Sequence, residues 1–165
     1  NNASTVVRLD YKSASFLFVG DLEGKGRADA ADQLAMGEKL LLSKAPPAKL
    51  AATVLKVGHH GSETSSTLSL IRAVKPDVVV IQSGRKFFNG TPLPDQTVLD
   101  RYKSERPGVT IVRTDLDDAA EKLDTTNDAD GDDIAIVTDG DSIRVKQAML
   151  AGGKRVWKTV RSIQK

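Results

Sequence analysis

The chain contains no cysteine and only two histidines among its 165 residues. The first absence excludes disulfide staples and thiolate metal sites, although it leaves the cellular compartment open. The second concentrates any imidazole chemistry in one place, because His59 and His60 stand side by side. Aromatic residues make up only 4% of the chain, with a single Trp, so stacking surfaces are few. No apolar run approaches the ~20 residues of a membrane-spanning helix, and no charged-then-apolar leader opens the chain, so the stretch present is expected to be soluble. Asn1 stands where an initiator methionine would be, and a strand-like run follows almost at once, from which we expect that this is part of a longer product.

The length is that of one domain or a large piece of one, enough to bury roughly two-thirds of the surface the unfolded chain exposes. A formal net charge of +2 names no partner, but it is the sum of two opposed segments. Residues 115–133 carry eight Asp and one Glu against one Lys, whereas Arg144–Lys165 carries seven Lys or Arg and no acid. We expect an exposed acidic insertion at 115–133 and a basic tail at 146–165.

Strand and helix alternate along the rest. Thr5–Leu9 and Phe16–Val19 are β-branched and apolar, with turn chemistry between them, and predict a hairpin. Ala28–Ser43 is rich in helix formers and predicts a helix that stops before Pro46-Pro47. Thr53–Val57 predicts a short strand leading into the histidines, and Thr67–Val74 a helix capped by Ser65 or Ser66. Val78–Ile81 reads as a strand covered on both faces, Gln96–Glu105 as a helix with Val98, Leu99 and Tyr102 inward, and Val109–Val112 as a strand. Ile134–Thr138 and Ser142–Val145 predict a hairpin about Asp139-Gly140, and the tail one more strand or a loose arm.

Two strand ends collect the chemistry. Gly20-Asp21 leaves a carboxylate where one strand stops, and His59-His60 leaves imidazoles where another stops, so that both converge on a sheet edge of the kind where metal sites and general bases are built. Alone, Asp21 would read as a turn residue; the histidine pair makes it a candidate ligand. Ser62, Thr64, Ser65 and Ser66 follow at a predicted helix N-terminus, where free N–H groups and the dipole favour an anion such as phosphate. Plain capping accounts for one of these hydroxyls, and their adjacency to the histidines is what suggests a phosphate site. Asp128, Asp130 and Asp132 around Gly131 lack two ligands of a calcium loop, with Thr126 first and Val137 twelfth, and read better as a solvated loop. The basic tail with Trp157 suits either a half-buried strand or a nucleic-acid contact with the indole stacked on a base.

Asn1-x-x-Ser4-x-Val6-Val7, Phe16-Leu17-Phe18-Val19-Gly20-Asp21, Val54 to Ser66 with its His-His-Gly-Ser run, Lys75-Pro76 and Ser83-Gly84 together resemble the metallo-β-lactamase-fold domain of the ComEC/Rec2 competence family. The likeness covers about residues 1–114 and resumes near 131–145. It departs from the family where the His-x-His-x-Asp-His motif and a further ligand histidine would precede Asn1, at Thr91-Pro92 where relatives often have His-Pro, and in the 117–130 insertion. The resemblance implies an α/β fold: the C-terminal half of an αββα sandwich, with a mixed sheet and flanking helices. It also implies two divalent metal ions, zinc or manganese, completed by ligands outside this chain. Asp21 would be the carboxylate shared by the metals and also catalytic, and one of His59 and His60 the last imidazole ligand: His60 is preferred, with His59 catalytic, either supporting a ligand from behind or in contact with phosphate. Ser62, Thr64, Ser65 and Asn2 would be substrate contacts.

The activity so implied is metal-assisted hydrolysis of a phosphodiester such as DNA, with a hydroxide activated by the two cations and with the fragment alone a poor metal binder. Its expected partners are DNA or another phosphodiester, the missing N-terminal half of the fold and a second copy of the chain in a homo-oligomer. It could be extracytoplasmic or part of a larger membrane protein. Two other readings stand beside this one: a non-catalytic half-domain that binds nucleic acid or a partner chain, and a metallohydrolase of esters, lactones or lactams.

Overall fold

The computed structural model describes residues 1, 3–84, 90–116, 133–151 and 154–165. The expected hairpin forms from β1 (Val7–Tyr11) and β2 (Ala14–Phe18), paired antiparallel. After it come α1 (Met36–Lys44), α2 (Pro47–Leu50), β3 (Val54–Lys56), α3 (Leu68–Val74), β4 (Val78–Ile81), α4 (Gln96–Glu105) and β5 (Thr110–Arg113). Strands β2 to β5 run parallel in the order of the sequence, which makes a five-stranded mixed sheet with β1 as its antiparallel edge. Strands β6 (Ile134–Thr138), β7 (Ser142–Ala151) and β8 (Lys154–Gln164) form a second, antiparallel sheet. The chain therefore has the expected α/β class, a mixed sheet with flanking helices.

Alternation along each strand sorts the core into two layers. Leu17, Leu55 and Val79 lie in register and pack, with Val57 and Ile81, against Leu70, Ile71 and Val74 of α3 and Val98, Leu99 and Tyr102 of α4. Their neighbours Phe16, Val54 and Val78 are also in register and point the other way, onto Ile143 and Val145 of β7. The result is helix, sheet, sheet.

One expected element is shorter than its composition suggests. Residues 28–35 turn instead of forming the start of a helix, and α1 begins only at Met36. Asp29 is the physical reason: its carboxylate accepts from the N–H of Gly26 at 2.7 Å, a local bond that competes with helix. The expected acidic insertion lies almost wholly outside the described residues, as does the 128–132 part of the calcium-loop reading. The tail, left open as strand or arm, is strand β8. No described helix is long and apolar enough to cross a membrane.

Candidate metal and hydrolytic site

Parallel neighbours end at the same edge of a sheet, so the chain leaving β2 and the chain leaving β3 emerge together. Gly20 turns with φ +57° and lies against Ser4, whose hydroxyl accepts the N–H of Asp21 at 3.2 Å. From the other strand, the N–H of His59 donates to the carbonyl of Gly20 at 3.2 Å. Asp21 and the histidine pair are thus held together by backbone as well as by proximity.

The histidines do not sit on the strand. They form a single turn, Gly58–Gly61, in which His59 (φ 44°, ψ 46°) and His60 (φ 55°, ψ 22°) are both left-handed. Such a conformation costs a non-glycine residue on the order of 1–3 kcal/mol and persists where its surroundings over-determine it. The turn sets the two rings 6.3 Å apart between centroids, crossed at 60°. Strand alternation would have sent them to opposite sides of the sheet.

His60 Nδ1 lies 2.6 Å from the carbonyl oxygen of Gln82. A carbonyl only accepts, so this nitrogen carries the proton and Nε2 presents its lone pair in the neutral ring. That lone pair faces Asp21 Oδ1 at 3.5 Å. Two acceptors so placed call for a cation between them. Donor atoms about 2.0–2.1 Å from one tetrahedral zinc lie roughly 3.3 Å apart, so this pair fits two ligands of such a centre, with an outer partner already fixing the ring. Among the described residues, no group of three His, Cys, Asp or Glu is arranged to hold a metal.

His59 has a different environment. Its Nδ1 lies 3.2 Å from Glu23 Oε1 and 3.3 Å from Thr64 Oγ1, while the amide of Asn1 donates to Nε2 across 3.3 Å. Thr64 itself donates to Glu23 Oε1 at 2.8 Å, and Thr64 Oγ1 lies 3.1 Å from Ser62 Oγ. The carboxylate of Glu23 therefore orients the imidazole with Nε2 outward, an arrangement able to accept and return a proton. Lys56, at the end of β3, reaches the carbonyl of Gly20 at 3.3 Å; burial lowers its ammonium pKa while the charge of Asp21 pulls the other way.

The helix terminus after the hydroxyl cluster differs from expectation. Thr67, not Ser65 or Ser66, caps α3 by accepting from the N–H of Leu70. The N–H groups of Ser66 and Thr67 donate to the buried carboxylate of Glu38 at 2.6 and 3.0 Å, so this end is closed by the chain's own anion and is not free for phosphate. Ser65 is fully buried and donates to the carbonyls of Gly58 and Ser62. Ser62 is nearly buried; Thr64 is half-buried at the rim beside His59. Asn2 lies outside the described residues.

Several charged residues that the sequence does not single out complete the frame. Arg101, buried in α4, donates to the carbonyls of Ser65 and Ser66 at 2.8 Å and to that of Glu63 at 3.0 Å. Lys25 is fully buried and pairs with Glu63 at 2.7 Å. Asp95 accepts the N–H of Glu63 and forms a two-pronged ion pair with Arg27, whose guanidinium extends 3.5 Å from Ser62 Oγ. The acids Glu23 and Glu63, close to Asp21 and His60 in sequence, are the only local signal of this network. Beside the site, a cleft of about 950 Å³ opens between the sheets, with Phe16, Val54, Ile134 and Ile136 inside and Gly20, Lys56 and Gln82 also lining it.

A family model described as the metallo-beta-lactamase superfamily matches residues 1–85. Competence protein ComA of Neisseria gonorrhoeae is 34% identical over 119 residues, which is 72% of this chain and 15% of that protein. Recombination protein 2 of Haemophilus influenzae is 36% identical over 107 residues, 63% of this chain and 11% of that protein. ComE operon protein 3 of Bacillus subtilis is 32% identical over 115 residues, 70% of this chain and 13% of that protein. The chain thus spans a small fraction of the length of these relatives. No solved structure matches it.

Proposed function

The chain belongs to the metallo-beta-lactamase superfamily and is similar to competence proteins of the ComEC/Rec2 family, and from that premise we propose that it is the C-terminal part of a metal-dependent hydrolase of phosphodiesters such as DNA. The observation that carries the reading is the facing pair His60 Nε2 and Asp21 Oδ1, with the ring's tautomer set by Gln82. These two residues would hold their share of two divalent ions, zinc or manganese, whose chemistry when bound is to acidify water and offset charge developing on phosphorus. His59, oriented by Glu23, takes and returns the proton at Nε2. Thr64 and Ser62 remain candidate substrate contacts at the rim, and Arg27 beyond them has N–H donors for a phosphate oxygen besides those it gives Asp95 and Ser62. Ser65 holds the loop from inside, and Asn2 remains a candidate substrate contact.

Because two ligands fall short of the three that a catalytic zinc needs, the site is completed by the N-terminal half of the fold or by a second copy of the chain. Val7, Leu9, Tyr11 and Phe18, each 42–52% exposed around the edge strand β1, are the apolar surface such a partner would cover.

The test uses the full-length gene product, its bound metal and its turnover of bis(p-nitrophenyl) phosphate. We expect about one metal or more per chain, and loss of both metal and turnover in Asp21→Ala and His60→Ala. Turnover intact in both variants with less than about one metal per chain would sink the reading. Preference for an ester, lactone or lactam would transfer the site to that chemistry, and metal-free binding without turnover would favour a binding module.

A further inference from the structure

The β7–β8 ribbon takes no part in the site. On β7, Ile143 and Val145 face inward to the inter-sheet core, and the Gln147 side chain donates to the carbonyl of Arg113 on β5. The alternate residues Arg144 and Lys146 therefore point away from the body, while Ala148, two positions further along the strand, is fully buried. Register places Ser162 opposite Arg144, Thr159 opposite Lys146, Trp157 opposite Ala148 and Arg155 opposite Leu150. Residues directly paired across antiparallel strands share a face, so Arg144, Lys146, Trp157 and Arg155 line one surface.

Trp157 is 46% exposed, and the guanidinium of Arg155 lies over its ring at 5.4 Å from the centroid. All of β8 except Ile163 is exposed, Lys158 and Arg161 included. Among the described residues, ion pairs engage only Arg155, with Asp133, and Lys165, with Asp77, of this segment's seven cations. A wide indole left at the surface among cations, of which Arg155 alone has an acid, Asp133, beside it among the described residues, is a stacking platform inside a positive field. A duplex hides its bases, whereas a single strand offers both the π-face and the phosphates that this surface complements.

We propose that this face of the ribbon binds single-stranded nucleic acid, with a base stacked on Trp157 and phosphates on Arg144, Lys146 and Arg155. It stands independently of the hydrolytic reading. Trp157 is the only tryptophan, so its fluorescence reports occupancy directly.

The experiment titrates the 165-residue chain, with chelator present, against labelled oligothymidine of about 16 nucleotides, following anisotropy and tryptophan quenching. We expect binding with quenching, and about a tenfold loss of affinity in Trp157→Ala that Trp157→Phe largely restores, as stacking requires. The double variant Arg144→Glu with Lys146→Glu should weaken binding and lower the salt slope by roughly 1–2. Asp21→Ala with His60→Ala should bind as the wild type, which separates this surface from the site. Binding without quenching, unchanged affinity in Trp157→Ala, loss of binding in the Asp21 and His60 variant, or equal quenching by phosphatidylglycerol vesicles would each overturn the proposal.

Discussion

In the loop from Gly58 to Thr67, the body of the protein engages one polar group after another. Arg101 takes three of its carbonyls, Glu38 takes two N–H groups, Asp95 takes a third, and Gly24 and Lys25 donate to Thr64. Along β8, by contrast, a single residue is even partly buried and the side chains stand in water. The loop carries two left-handed histidines in succession, whereas no non-glycine residue among the described residues of the ribbon is left-handed. Strain of this kind needs a frame that leaves the backbone no cheaper alternative, and the buried network is that frame. Strand β8 is held mainly by its ladder to β7, so its exposed side chains can be exchanged at little structural cost.

Breaking the frame should therefore have the largest effect. Arg101→Ala leaves three carbonyls without their donor and Glu63 with Lys25 as its remaining partner, and we expect a loss of about 3–5 kcal/mol in urea unfolding. Gly61→Ala comes next. Gly61 has φ +79° and an added Cβ would sit 2.5 Å from Pro94 Cβ, so a loss of about 2–4 kcal/mol is expected in the same measurement. Smaller, and opposite in sign, is His60→Gly. It relieves the left-handed strain and gives up one bond to Gln82, for a net gain of up to about 1 kcal/mol in thermal unfolding, while the pair with Asp21 is lost.

The smallest effect is on pH dependence. Burial raises the Glu38 carboxyl above its ordinary 4.5, against the pull of its bonds from Thr67 and Ser66 and the charge of Arg101. The folded state therefore keeps this proton to higher pH than the unfolded chain. The stability it contributes is complete below pH 4.5 and is lost as pH rises through the raised value. Glu38→Gln cannot ionise, so the decline in urea midpoint above pH 4.5 should be shallower in that variant.

Much of the fold is legible in the chain because short apolar runs and turn residues act locally. Val78–Ile81 and Gln96–Glu105 form as the pattern predicts, and Asp139-Gly140 turns the β6–β7 hairpin. The convergence of Asp21 with the histidines was legible too, since both follow strands. The supports were not. Glu38 sits in a stretch that reads only as a run of helix formers, Lys25 stands between two glycines, and Arg101 lies on a helix whose pattern marks only Val98, Leu99 and Tyr102 as inward. Their burial depends on partners 28 to 38 residues away in the chain, and no local pattern encodes a contact of that range. The left-handed pair is hidden for a related reason: histidine carries no preference for that conformation strong enough to announce it.

The two sheets also meet at their turns. The N–H of Ser13, in the β1–β2 turn, donates to the carbonyl of Gly140, and Lys12 lies against Gly140 and pairs with Asp141 in the β6–β7 turn. Turn fastened to turn at one end, with a cleft open between the same sheets, is the arrangement of a clothes-peg. Leverage at the gap is then resisted by the contact of Ser13 with Gly140 and by the packing of Phe16, Val54 and Val78 on Ile143 and Val145, so whatever seats itself between the jaws would set the spacing of β1 from β6, and through Gly20 and Gln82 the grip on Asp21 and His60.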